Sequence, residues 1–480
     1  MPKAGLEPAC LATHAPETCA STNFATSASL KMKPTRYKSW NLSYASTKIH
    51  AGQRLCLSLT IPMAVGPPVS IKTSAGFTIL CLHDPHYTLA HLALINDSGS
   101  RDDLPVGSGV THCLEHLLFK GTSDRNTFQV LSELENKGGD LNAFTTKERL
   151  VLHASCPAVH SLTALDLLGD MWWHSTWSDE EFRKEQKIIR EEIGMYRDNP
   201  EESLLEEFET LVYGRHALAH PILGFEEQLM RLRSQEVHNY YRNVFLQRPT
   251  VLVYHGPLEP MEVKTAIERR QAKTRKAGFP THAASLRKRP SGLRQSKSHE
   301  KVQDFNQAYG MIGGRAPSVS DENRWAIALL FNWLGGDHMS ARLSMELREK
   351  LALVYEIEAQ YSPYSDTGMW SVPFSCDPSN HRLVQKRVEE ILHRPSLSTP
   401  TAPEFKIAKE QMIGRILLAE ENRLQNLIGW GQAYLDGNRL LDTQEIIDRI
   451  HRIPRTAVLE AANHLFRVMP RRSLLWTCAP

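Results

Sequence analysis

The chain has 480 residues, 41% hydrophobic and 23% charged, a globular balance that excludes wholesale disorder. With 56 Lys and Arg against 54 Asp and Glu, the formal net charge is +2, so no global basic surface for nucleic acid or anionic lipid is expected. No run approaches the roughly 18–20 apolar residues of a membrane span. The eight scattered cysteines lack any Cys-x-x-Cys pair, which excludes a cysteine zinc ribbon or dense disulfide framework and fits a reducing, cytoplasmic setting.

Between Thr18 and His83 there are seven basic residues and no acid, in a background of Ser, Thr and Ala. That composition suits a targeting segment or a disordered extension, and the apolar run 55–65 behind Lys48 and Arg54 has the length of an export-signal core. Residues 1–65 are assigned to such an extension. Regular structure is predicted from residue 69: a β-hairpin over 69–73 and 77–83, then a buried strand over 87–96. Helices are predicted over 110–119, 127–136 and 158–174. Ser178-Asp179-Glu180-Glu181 is a capping box that opens a long helix ending before Pro200. A further helix at 204–212 and a strand at 250–254 complete a first α+β block, 66–262.

Residues 264–301 carry twelve Lys and Arg against Glu268 and Glu300. This stretch, bounded as 263–301, reads as a basic linker, either solvated or acting as a positive collar for acidic peptides or polyanions. A second α+β block, 302–480, begins with a strand near 307–312 and has helices over 321–333, 339–350, 378–392 and 404–435. The expected fold class is therefore α+β: two similar lobes, each a mixed or antiparallel sheet covered by helices.

The sharpest chemical signal is Thr111-His112-Cys113-Leu114-Glu115-His116. On a helix, His112 and His116 are one turn apart and share a face, with Glu115 beside them. Two imidazoles and a carboxylate at this spacing suit a catalytic zinc with Glu115 as general base toward water. In the long helix, the predicted apolar stripe 185, 188, 189, 192 and 196 contains two carboxylates, Glu185 and Glu192. A carboxylate aimed into an apolar interior is costly unless paired or metal-bound. Glu192 would complete a His2Glu set with one open position, leaving Glu185 as a salt-bridge or outer partner.

His-x-x-Glu-His with a distant Glu resembles the inverted zinc motif of the pitrilysin-type metallopeptidases, the family of mitochondrial processing peptidase. In that family a Glu-x6-Glu pair follows by about 75 residues and its second Glu binds the metal; here 75 residues separate His116 from Glu192. The run from Gly138 to Thr145 resembles the family's edge strand, and Arg348 with Tyr355 resembles its substrate-gripping pair. The resemblance implies a half-size zinc endopeptidase or oligopeptidase acting on extended or presequence-like peptides, with one Zn2+ per chain. It implies ligands His112, His116 and Glu192, base Glu115, an outer partner Glu185, and substrate contacts at Asn142, Ala143, Arg348 and Tyr355. It also implies a partner chain, a homodimer or a heterodimer with a homologous subunit, because a complete clamshell needs two such halves. The competing reading within the family is a non-catalytic subunit that binds peptides or scaffolds a complex. This sequence departs from the family at Cys113, where a large aromatic is common, and at Ala352, where Gly is usual.

Overall fold

In this computed structural model the described residues are 66–273, 287–293 and 295–478, so the expected extension at 1–65 lies outside them. The first sheet contains β1 (Val69–Lys72), β2 (Thr78–His83), β3 (Leu89–Asn96), β4 (Asp140–Thr145), β5 (Leu150–Pro157) and β6 (Thr250–Gly256), in the order β1-β2-β6-β3-β5-β4. The second contains β7 (Lys297–Gln303), β8 (Ala308–Ala316), β10 (Gln360–Pro363), β11 (Gly368–Cys376) and β12 (Arg471–Cys478), in the order β10-β11-β8-β12-β7, with β9 (Glu356–Ile357) paired to β11. Both sheets are mixed. In each, one parallel pair, β2 with β6 or β7 with β12, adjoins a run of antiparallel pairs. The late strand of each half inserts between its first two long strands. The two halves thus repeat one topology, which the residues themselves do not reveal.

The first five helices of the first half are α1 (Val110–Leu118), α2 (Thr127–Glu135), α3 (Ser161–His174), α4 (Asp179–Asp198) and α5 (Pro200–Tyr213). One face of the first sheet packs on α1, α3 and α4 in a core that includes Leu92, Leu114, Leu168 and Ile189. Its other face is covered by a helix from the second half, Arg423–Leu435, through Leu427 and Ile428 against Ala93, Ile95, Val151 and Val253. Gly431 permits this approach, since a Cβ there would collide with Ile95 and lie 2.9 Å from Val253. The exchange is reciprocal: Leu204, Phe208 and Val212 of α5 pack on Met311, Met369, Leu474 and Trp476 of the second sheet. Each buried Leu, Val or Phe contributes about 1.5–3 kcal/mol relative to exposure, so the halves share much of their stabilisation.

The helix predicted over 404–435 is two helices, Ala402–Ala419 and Arg423–Leu435. The chain breaks at Asn422, whose side chain accepts the Gln425 N–H and caps the second. The predicted helix at 339–350 is instead a short π-helical segment, Ser344–Glu349. The basic stretch begins inside the helix Pro260–Gln271 and ends inside β7; residues 274–286 lie outside the described ones.

Arg287 from that stretch is buried at the junction of the halves. Its guanidinium pairs with Asp102 at 2.6 Å and Asp97 at 2.9 Å, and donates to the Glu148 carbonyl at 3.0 Å. Arg101 bridges Glu148 to Asp366, and Arg149 bridges Asp97 to Asp436. Ser365 donates to Glu148 from both its N–H and its hydroxyl, at 2.9 and 2.7 Å. Burial alone would raise the Glu148 carboxyl, but Arg287, Arg149 and Arg101 outweigh it and hold the group at about 2. Stability from a depressed carboxyl is present above its unfolded value and lost as pH falls through the folded one. Arg287→Met is therefore expected to destabilise the protein by about 3–5 kcal/mol at pH 7, by stranding buried carboxylates. That deficit should narrow as pH falls from about 4.5 toward 2. Urea midpoints of both proteins across this range check it; a small deficit that ignores pH would show that the cluster does not clasp the halves.

Candidate metal centre

α1 is anchored from upstream of its own sequence. Gly109 precedes it at a φ of 68°, in the left-handed region that favours glycine. The buried Asp103 carboxylate accepts the Gly109 N–H at 2.8 Å, the Thr111 N–H at 3.1 Å and the Thr111 hydroxyl at 2.6 Å. A carboxylate bonded to the first amides of a helix satisfies orphan donors and favours the dipole. One side of α1, made of Val110, Cys113, Leu114, Leu117 and Leu118, is fixed in the core. The opposite side therefore presents His112, Glu115 and His116 toward α4.

α4 opens on the expected capping box, with the Ser178 hydroxyl accepting the Glu181 N–H at 3.2 Å. Phe182, Glu185, Gln186, Ile189 and Ile193 are its buried residues. The predicted stripe divides here: Ile188 is 50% exposed and the Glu192 side chain 20% exposed. Glu192 thus stands at the rim of the interior rather than inside it. Gln186 locks the helix rotation by donating to the Leu229 and Leu232 carbonyls at 2.8 and 2.9 Å.

Where α1 meets α4, the donors converge. Glu192 Oε2 lies 3.5 Å from His116 Nε2 and 3.9 Å from His112 Nε2. These three residues, with donor atoms all within 4.8 Å, are the only such His/Cys/Asp/Glu group among the described residues. Ligands at 2.0–2.1 Å around a tetrahedral zinc lie about 3.3 Å apart, so two imidazoles and a carboxylate at these separations fit that ion. His116 Nδ1 donates to Glu185 Oε2 at 3.0 Å, which leaves Nε2 as the ring nitrogen facing Glu192. Lys120 Nζ holds the other Glu185 oxygen at 2.7 Å. The sequence places Glu185 beside the site; it gives no signal for Lys120, or for Asp103, whose cap acts from eight residues upstream.

Burial pushes His112 down to about 3, helped by His116, so the ring is neutral and can donate a lone pair. For His116, burial is outweighed by the Glu185 and Glu192 carboxylates, which lift it to about 9. Burial lifts Glu115 to about 7 against the pull of His116 and of the Thr145 hydroxyl, which donates to Glu115 Oε2 at 2.5 Å. For Glu185, burial is outweighed by hydrogen bonds from His116 and Lys120, which keep it below the usual range.

Asn142 and Ala143 lie on β4, which forms an edge of the first sheet. The Ala143 N–H donates to the Asn142 side chain at 2.8 Å and so points away from β5, toward the open edge. Arg348 and Tyr355 belong to the second half, and their polar contacts run elsewhere. Arg348 pairs with Glu349 at 3.0 Å, while the Tyr355 N–H donates to the Ser375 carbonyl at 2.9 Å and its side chain is exposed. Ala352, three residues before Tyr355, has a φ of 50°, a left-handed conformation that explains the expected glycine. His338 bonds to Asn332 and Ser340 and joins no donor cluster among the described residues.

Two family models match the chain: insulinase (peptidase family M16) over residues 78–226 and the peptidase M16 inactive domain over residues 231–412. The second covers His338, which joins no metal-binding group among the described residues. Among similar proteins, an uncharacterized zinc protease of Bacillus subtilis is 29% identical over 82% of this chain and 94% of its own length. Another, from Streptomyces coelicolor, is 32% identical over 70% of this chain and 74% of its own. In fold, the chain is similar to a Helicobacter pylori protease, with a TM-score of 0.77 and 16% identity over 86% of this chain and all of that one.

The two α4 carboxylates should separate in a metal assay. After dialysis against a weak chelator, Glu192→Gln is expected to lose zinc. Glu185→Gln should keep most of it, with affinity or turnover weakened about 10- to 100-fold. An empty Glu185→Gln beside a loaded Glu192→Gln would reverse the assignment.

Proposed function

Because the chain belongs to peptidase family M16, we propose that it is a zinc-dependent endopeptidase or oligopeptidase that cleaves extended or presequence-like peptides. The convergence of His112, His116 and Glu192 at one point, with Glu115 buried alongside, carries this reading. In it the three residues hold one Zn2+ per chain. When bound, the ion supplies Lewis acidity to the scissile carbonyl and to the attacking water. Glu115 takes a proton from that water and passes it to the leaving amine. Glu185 fixes the His116 ring and is itself held by Lys120.

β4 is the strand that receives substrate in this reading. An extended peptide would add to its open edge by main-chain hydrogen bonds, which are largely blind to side chains. At Ala143, the substrate carbonyl would replace the Asn142 oxygen that now accepts the N–H. Residues 66–262 form the catalytic lobe and 302–480 the lobe that grips peptide through Arg348 and Tyr355. The outward placement of Tyr355 supports a site completed by a second chain, either another copy or a homologous subunit. The complete donor set favours catalysis over the non-catalytic subunit reading. Free, buried thiols at Cys81, Cys113, Cys156 and Cys376 support a reducing compartment such as the cytoplasm. Among the described residues no helix is long and apolar enough to cross a membrane.

Glu115→Gln is expected to retain zinc and lose about 10²–10⁴ in turnover of a quenched peptide library. Near wild-type rates in a protease-free preparation would remove Glu115 from the mechanism. If sites form between chains, mixing Glu115→Gln with Arg348→Ala should restore part of the lost activity. Demonstrated subunit exchange without any rescue would count against a shared site.

A further inference from the structure

The hydrogen bond between Thr145 and Glu115 ties the proposed general base to the strand proposed to bind substrate. Glu115 sits on α1 and Thr145 at the end of β4, thirty positions apart in sequence, and both are buried at 5% exposure. In its ionised form, the one that acts as a base, Glu115 accepts only, so the Thr145 hydroxyl then donates its hydrogen to Glu115 Oε2. Among the described residues it is the only hydrogen-bond donor to that carboxylate. One oxygen of Glu115 is thereby fixed and the other left for a proton. A threonine in a strand has restricted χ1, so the hydroxyl goes where the backbone of β4 sends it.

The register of β4 gives that backbone a second role. Ala143 pairs opposite Leu152 and Thr145 opposite Leu150, so both side chains project to the face that carries α1. The Ala143 N–H turns to the free edge. By the two-residue period of an antiparallel strand, the main-chain groups of Thr145 turn to that edge as well. The residue whose peptide would pair with an added substrate strand is therefore the one whose hydroxyl holds Glu115.

We propose that Thr145 is a positioning residue that orients Glu115 and couples the base to occupancy of the β4 edge. This inference rests on the peptidase reading and adds to it a residue that reaches the reaction through Glu115. Its loss should act on the chemical step, because Glu115 would still be present but free to rotate away from the attacking water. Ground-state pairing of the peptide with β4 uses main-chain groups and should survive.

The test uses the zinc-loaded full chain and one quenched peptide substrate. Thr145→Val, which keeps the shape and removes the hydroxyl, is expected to lower kcat about 10- to 100-fold, with KM within about twofold and zinc content unchanged. Thr145→Ser, which restores the hydroxyl on a looser side chain, should recover most of the rate. If Thr145→Val keeps wild-type kcat, or if Thr145→Ser is as slow as Thr145→Val at equal thermal midpoint, the positioning role is overturned. Glu115→Gln is measured beside them to separate two failures. An inactive Glu115→Gln with a fully active Thr145→Val defeats only the present inference. A fully active Glu115→Gln defeats the general-base reading on which it rests.

Discussion

An imidazole with no exposed surface is costly to charge, and His112 is buried completely at the contact of α1 with α4. That placement makes it a neutral donor whose lone pair must be used inside the protein. The neighbouring groups meet the same constraint. His116 is locked by Glu185, Glu185 is neutralised by Lys120, and Glu192 waits at the rim with part of its surface open. Each carboxylate has an imidazole, an ammonium or a hydroxyl facing it. Such a polar cluster inside an apolar core is tolerated because its members satisfy one another.

The scaffold holds these helices from two sides. Asp103 and the apolar residues of α1 fix the rotation of the histidine helix, while Gln186 fixes α4. The sheet beneath them is closed on its far face by a helix of the other half, and α5, which directly follows α4, is buried on the other half's sheet. The half that carries the candidate metal centre is thus not a self-sufficient unit beside a passive one. Loosening the ion-pair cluster around Arg287 would disturb the seam on which α5 and its neighbour α4 depend.

Local signals were legible in the sequence, and contacts across the chain were not. His112 and His116 one turn apart, and the Ser178 capping box, are fixed by neighbours within four residues and appear as expected. The apolar pattern predicts one helix over 404–435 because it runs through the break, which only the Asn422 side chain marks. Ile188 and Ile189 are adjacent and equally apolar, yet one is exposed and the other buried. Periodicity cannot tell a core-facing residue from one that borders an open site. Asp103 and Thr145 lay beyond reach for another reason: each meets α1 only after the chain has turned back, and isolated Asp and Thr residues have no motif. The repeat of the two sheets was hidden because topology can persist after residue identities have diverged.

The central claim is that two imidazoles and one carboxylate from α1 and α4 hold a zinc ion. X-ray absorption at the zinc edge of the loaded protein tests it most directly, since Cys113 lies between the two histidines and would be the obvious competing ligand. The expected first shell is nitrogen and oxygen alone at ~2.0–2.1 Å, with the scattering signature of two imidazoles and no sulfur. A sulfur at ~2.3 Å would contradict it. That result would mean that α1 is rotated by about 100° from the orientation its buried residues define, or that the metal sits elsewhere in the chain.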